Sequence, residues 1–271
     1  MLEYTLCNEL LAEEGTDLGA QARIARDLGY VGLELAPYTL GPAPEEADAR
    51  AIRKTVEDAG MRITGLHWLL SHYPDASITD PARQAATRSR LLRLLDLCAA
   101  LGGEVIVHGS PANRRRPPGM SDADLVASLA EFFAPLAARA GELGLSYCIE
   151  PLAEAETIGD VGEGAALVRA VGHPAFRTMI DCSAAGQVEP PVADLIRRWV
   201  PEGVIGHIHA NDTNRGAPGM GTDPFHNTVA ALIETGWSRP IGIEPFRTLV
   251  DARVTAATGI ATLRACEGAL R

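Results

Sequence analysis

Four short apolar runs in the second half of the chain each end on a residue type that binds metal: SYCIE at Glu150, RTMID at Asp181, VIGHIH at His209 and PIGIE at Glu244. If these runs are successive parallel strands of a barrel, their C-terminal ends share one mouth, where three carboxylates and an imidazole converge. Polar residues also end strands simply to satisfy loop amides, and any one of the four alone carries little. Burying three carboxylates side by side without a cation is costly, so the set reads as a site. Oxygen ligands with a single nitrogen suit Mn²⁺, Mg²⁺ or Co²⁺, Mn²⁺ foremost, and admit Zn²⁺. His207 shares a strand face with His209. The residue nearer the strand's C-terminal end reaches the mouth, which selects His209 as the ligand and leaves His207 as a core residue or an orienting partner.

The elements that must position these groups follow a simple alternation. Short β-rich runs are expected at 3–8, 30–35, 62–68, 104–109, 145–150, 177–182, 204–210 and 240–245, each followed by a segment of helical period, at 17–28, 44–59, 81–101, 120–143, 160–171, 191–199, 224–235 and 252–269. Gly29, Gly60, Gly102, Gly103, Gly144 and Gly236 stand where the helices should stop. Eight βα units predict a single (β/α)8 TIM barrel occupying residues 1–271 as one domain. The long connections, 36–43, 69–80, 110–120, 151–159 and 211–223, all follow strands, which is the face where a barrel builds a pocket. An open doubly wound sheet is the competing architecture, but no strand is followed by G-x-G-x-x-G.

Composition excludes several functions. With 35 acidic against 24 basic side chains, a formal charge of -11 opposes a nucleic-acid partner. The start, MLEYTLCNELLAEEG, fits neither a signal nor a transit peptide, and no apolar run nears the ~20 residues of a membrane span, so a cytoplasmic protein without a membrane partner is expected. The five cysteines, Cys7, Cys98, Cys148, Cys182 and Cys266, are scattered and form no C-x-x-C, which reads as buried thiols. Lys54 is the only lysine and falls in an amphipathic outer helix, which removes Schiff-base chemistry.

On Glu150, Asp181, Glu244 and the segment HIHANDTNRGAPGMG, the chain resembles the xylose isomerase-like TIM barrel superfamily, and within it the ketose 3-epimerases of the tagatose and psicose (allulose) type. The segment resembles the epimerase order of a metal histidine, an acid three residues on, Asn-Arg, and Pro-Gly-x-Gly. The resemblance implies that Glu150, Asp181, His209 and Glu244 ligate one divalent metal, that Arg215 and Glu156 contact the substrate, and that the partner is a small carbohydrate. It also implies that Glu150 and Glu244 lie on opposite faces of a keto sugar, one removing the α-proton and the other returning one through an enediolate. Two features depart from the family: Ala184 stands where the epimerases carry a substrate-binding histidine, and the first loop, CNELLAEEG, lacks their aromatic residues. An isomerase or epimerase is the first reading. A lyase acting on an inosose or 3-keto glycoside through the same metal site is the alternative. An abasic-site endonuclease-like hydrolase comes third, against the acidic balance.

Further strand-end residues join the expected site. His67 and His108 close the third and fourth strands and are expected to bind sugar hydroxyls. Glu34 ends the second strand as a possible acceptor for a histidine, and Trp68 offers an apolar wall or a core residue. Arg114, Arg115 and Arg116 form the one basic cluster, suited to a substrate anion, a partner subunit or plain solvation. Subunit number is left open, a homo-oligomer included.

Overall fold

Each parallel strand needs a crossover to reach the next, and the chain supplies a helix for every one. The computed structural model describes residues 1–270. Its strands are β1 (Tyr4–Cys7), β2 (Gly32–Leu35), β3 (Arg62–Leu66), β4 (Val105–His108), β5 (Ser146–Ile149), β6 (Phe176–Asp181), β7 (Ile205–Ala210) and β8 (Ile241–Ile243). The helices are α1 (Glu9–Glu13), α2 (Leu18–Leu28), α3 (Ala49–Asp58), α4 (Pro81–Leu101), α5 (Asp122–Glu142), α6 (Val161–Val171), α7 (Cys182–Val188), α8 (Val192–Trp199), α9 (Phe225–Glu234) and α10 (Ala252–Ala269). The strands pair in chain order and all parallel, and β8 returns to β1, so the sheet closes into a TIM barrel. The eight expected strands and eight expected helices are all present. Periodicity predicts neither α1 nor α7, because five and seven residues are too few to display a helical repeat.

Local chemistry sets the helix ends. Asp17, Asp48, Asp80, Ser121, Asp160 and Asp251 each accept a first-turn amide with a side-chain oxygen, which satisfies a donor the helix leaves free and contributes ~1 kcal/mol per cap. Gly29 ends α2 at φ 92°, a left-handed conformation that a side chain would disfavour.

Apolar packing lies between the barrel and the helix ring, where Phe133 of α5 meets Tyr147 and Phe176 at ring-centroid distances of 5.7 and 4.9 Å. Inside the barrel, Val105, Val107, Cys148 and Met179 form a small separate apolar cluster. The rest of the interior includes paired polar groups. Thr5 bonds Thr64 at 2.7 Å, and Glu34 of β2 reaches His207 of β7 at 2.9 Å, a span that crosses the interior because β8 and β1 lie between those strands. Cys7, Cys98, Cys148 and Cys182 are buried free thiols, as expected, while Cys266 is half-buried.

Candidate metal centre and substrate cavity

Strand register brings the four expected ligands together. Asp181 pairs laterally with His209, and His209 with Gly242, two residues before Glu244. A Cβ on Gly242 would stand 2.6 Å from His209 Cδ2, so glycine leaves the imidazole its room. A Cβ on Gly109 would likewise overlap the Glu150 carboxylate. Glu150, Asp181, His209 and Glu244 are all buried, and one donor atom from each lies within 4.8 Å of the others.

These atoms fit a cation better than they fit each other. His209 Nδ1 and Glu244 Oε2 lie 2.9 Å apart, yet off the hydrogen-bonding direction, and both are buried without a hydrogen-bond partner. Burial, with the charges of Glu244 and Asp181, pushes the Glu150 carboxyl well above the usual carboxylate value. Burial and Glu244 raise Asp181 to about 6. Burial also opposes ionisation of Glu244, but the His209 and His67 rings outweigh it and hold that carboxyl below its ordinary value. A divalent cation would relieve the crowding and take up the two orphaned atoms.

A layer of polar groups fixes the ligands' orientation. Glu34 accepts from Nε2 of both His207 (2.9 Å) and His209 (3.0 Å), which leaves Nδ1 as the His209 ring nitrogen turned towards Glu244. Although burial resists it, these two imidazoles keep Glu34 well below the ordinary carboxylate pKa. Asn211 donates to Asp181 Oδ2 at 2.8 Å and to the Glu244 carbonyl at 3.1 Å. Asp181 also caps α7, accepting from Ala184 N at 2.7 Å. Trp68, held at φ 54°, donates its indole N–H to Glu244 Oε1 at 2.9 Å and stacks on Phe246.

The family model of the xylose isomerase-like TIM barrel matches residues 22–266. The chain belongs to this family. It is 29% identical over 226 residues to a D-psicose 3-epimerase of Agrobacterium fabrum, covering 81% of this chain and 76% of that one. Among solved structures it is similar to an L-ribulose 3-epimerase (TM-score 0.82, 19% identity, 100% of this chain and 97% of the other). It is also similar to a 3-keto-D-glucoside 4-epimerase from E. coli (TM-score 0.81, 19% identity, 98% of this chain and 100% of the other).

In this member of the xylose isomerase-like family, Glu150, Asp181 and Glu244 line a cavity of about 390 Å³ with Trp68, Arg215 and Phe246. Arg215 sits 4.7 Å above the Phe246 ring, on a loop that Asp212 ties together by accepting from the amides of Gly219, Gly221 and Asp223. Three of the expected substrate contacts do not line this cavity. His67 is fully buried and bonded to Glu9 of α1 at 2.8 Å. His108 is fully buried, holds the Tyr147 hydroxyl at 2.6 Å, and is pushed down to about 3 by burial and by Arg114. Glu156 is exposed and faces Arg115 at 3.2 Å, while Glu154, two residues earlier, lines the cavity.

The basic cluster also differs from a free patch. Arg114 is wholly buried and donates to the Glu150 carbonyl at 2.6 Å. Arg115 holds Glu156, and Arg116 holds Asp122 and the Met120 carbonyl. Glu9, Asn211, Glu154 and the buried role of Arg114 were not accessible to sequence reasoning. The one available signal was the Asn211-Asp212 pair directly after the strand that carries His209.

Proposed function

We propose that the protein is a divalent-metal-dependent isomerase or epimerase of a keto sugar that works by removing a proton from a carbon beside the carbonyl. The observation that carries the proposal is the buried convergence of Glu150, Asp181, His209 and Glu244 beside a cavity, with one donor atom of each within 4.8 Å of the others. Similarity to proteins named as psicose, ribulose and keto-glucoside epimerases supports the reading. A divalent cation at these four residues, Mn²⁺ by preference, would polarise the carbonyl and stabilise the enediolate left by proton loss.

The remaining roles belong to the chain. Glu150 and Glu244 come from strands three apart round the ring, so a substrate between them presents a different face to each. One takes the proton and the other returns one, which inverts the carbon. Trp68 bonds Oε1 of Glu244 and so holds that carboxylate in one orientation. Arg215 holds a substrate oxygen by charge-assisted hydrogen bonds, its plane set by Phe246. Elimination is the weaker reading, since the two histidines that would protonate a leaving group, His67 and His108, are closed off from the cavity. A phosphodiester is opposed by a wall with one cationic side chain, Arg215, against Glu150, Glu154, Asp181 and Glu244.

The test is incubation of Mn²⁺-loaded protein with a panel of ketoses, inososes and 3-keto glycosides in D₂O, with deuterium incorporation read by mass spectrometry. Exchange beside the carbonyl is expected, and Glu150→Gln and Glu244→Gln should each abolish it. Retained exchange in both variants sinks the assignment.

A further inference from the structure

The barrel has a second cavity at its opposite end. It measures about 320 Å³, and its lining includes Thr64, Glu104, Ser146, Gly206, His207 and Arg239. These residues lie in the N-terminal halves of β3, β5 and β7 or in the turns before β4 and β8, on the face away from the metal centre. Among the described residues, none lines both cavities. His207 stands two residues before His209 on β7, and Glu34 bonds both rings, so that histidine and that carboxylate lie between the second cavity and the candidate ligand.

Two arginines meet at this cavity without an acid. Arg239 lines it and commits Nη1 to the Gly206 carbonyl at 2.8 Å. Arg177 of β6 runs alongside: a Cβ on Gly206 would stand 2.9 Å from Arg177 Cβ and 3.1 Å from its Cδ, and Arg177 donates from Nη1 to the Gly203 carbonyl. Both side chains are half-buried, and neither forms an ion pair with any described residue, in a chain where 35 acidic side chains face 24 basic ones. Burial and the Arg239 charge together lower the Arg177 pKa, as expected of two cations held close where water is scarce. Cys148, which lies near both, is a buried thiol pushed up to about 12 by burial and is uncharged at neutral pH. Glu104, the carboxylate on the wall, is already held by Arg62 at 2.6 Å. Thr64 is engaged with Thr5 and the Leu33 carbonyl, whereas the Ser146 hydroxyl has no partner among the described residues.

We infer that this cavity binds phosphate, as the free ion or as the monoester of a small molecule. Two adjacent guanidinium groups call for a doubly charged partner, and a phosphate monoester carries a charge of about -1.5 to -2 at pH 7 with acceptor oxygens on several sides. Each arginine uses one nitrogen on the backbone and keeps the rest of its donor fork, which matches phosphate geometry, and Ser146 adds a hydroxyl donor. Capping the Gly203 and Gly206 carbonyls alone would leave the repulsion between the two cations in place. At the ~30 Å³ that a water takes in the liquid, 320 Å³ holds about ten waters, which is room for a phosphoryl group and a short substituent.

The experiment is isothermal titration of the full chain in chloride buffer at pH 7 with inorganic phosphate and with glycerol 3-phosphate, and with acetate as the singly charged control. Saturable binding of at least one phosphate, roughly tenfold or more tighter than acetate, is expected, and the tighter of the two shows which form the cavity takes. Arg177→Met and Arg239→Met should each weaken it roughly tenfold or more, whereas Arg215→Met, at the mouth, should leave it unchanged. Because both arginines also hold backbone carbonyls, hydrogen exchange on the unsubstituted protein supplies a readout that needs no variant. Phosphate should slow exchange in the turns 142–146, 202–206 and 237–241 and not in the mouth loops 110–120 and 151–159. No binding of either phosphate, acetate bound as tightly, binding that survives both arginine substitutions, or protection confined to the mouth loops overturns the site.

Discussion

Replacing Asp181 with asparagine should stabilise the cation-free protein and at the same time abolish its response to metal. Burial and Glu244 raise the Asp181 carboxyl from 3.8 to about 6. At ~1.4 kcal/mol per unit, an ionised Asp181 at pH 7 costs the fold about 3 kcal/mol. The sign follows from proton binding: the folded state holds the proton more tightly, so the cost is present above pH 6 and fades as pH falls through 6 towards 4. Asparagine removes this charge and keeps the cap on Ala184 N through its carbonyl oxygen. It loses the bond from Asn211 Nδ2, because two amide donors then face each other, at ~1 kcal/mol. The net gain is about 2 kcal/mol, or about 4 °C in Tm for a chain of this length. With Mn²⁺ at a hundred times its Kd, the native protein gains ~2.7 kcal/mol and the variant gains none. Calorimetry at pH 7, first with chelator and then with Mn²⁺, should therefore show the order of the two melting temperatures reverse. A variant less stable than the native protein in chelator, or equal Mn²⁺ shifts in both, refutes the electrostatic account of the site.

Glu34→Gln removes the carboxylate that orients both His207 and His209 and should weaken Mn²⁺ binding by about 10- to 100-fold, measured by isothermal titration. Arg114→Met deletes the charged donor to the Glu150 carbonyl and should cost about 2 to 3 kcal/mol in urea unfolding, whereas Arg116→Met, at the surface, should cost about 1 kcal/mol or less. Trp68→Phe retains an aromatic ring against Phe246 but loses the N–H bond to Glu244; kcat for proton exchange should fall about fivefold to tenfold, the effect of ~1 kcal/mol, with a smaller change in KM.

The barrel was legible because its signals are periodic and repeated. Glycine at the ends of α2 and α4 marks boundaries by local backbone chemistry that tertiary packing does not override. The convergence of the four candidate ligands was legible for a related reason. In a parallel barrel the strand's C-terminal end fixes a residue's height, so Glu150, Asp181, His209 and Glu244 needed only their strand positions to be brought together. Choosing His209 over His207 used the same argument, and in the structure His209 joins the cluster while His207 bonds Glu34 beneath it.

Strand position fixes height but says nothing of what covers a side chain from the loops, and the differences arise there. His67 ends its strand as the ligands do, yet α1, five residues long and invisible to periodicity, brings Glu9 over it. His108 is closed off with Arg114 beside it, from a run of three arginines that the sequence presents as one basic cluster. Those arginines have identical side chains and three different environments: one is buried against the Glu150 backbone, one pairs with Glu156, and one caps the Met120 turn. Glu156 and Glu154 differ in the same way, because a left-handed residue at 156 (φ 61°) turns that side chain out while Glu154 remains at the cavity. The heights of the candidate ligands are therefore set by the strands, and the lining of the cavity above them by loop conformations that no repeat announces. Variants in Glu34 or Asn211, which orient the candidate ligands from below, should weaken Mn²⁺ binding, whereas Glu156→Gln, at an exposed position outside the cavity lining, should leave it unchanged in the same titration.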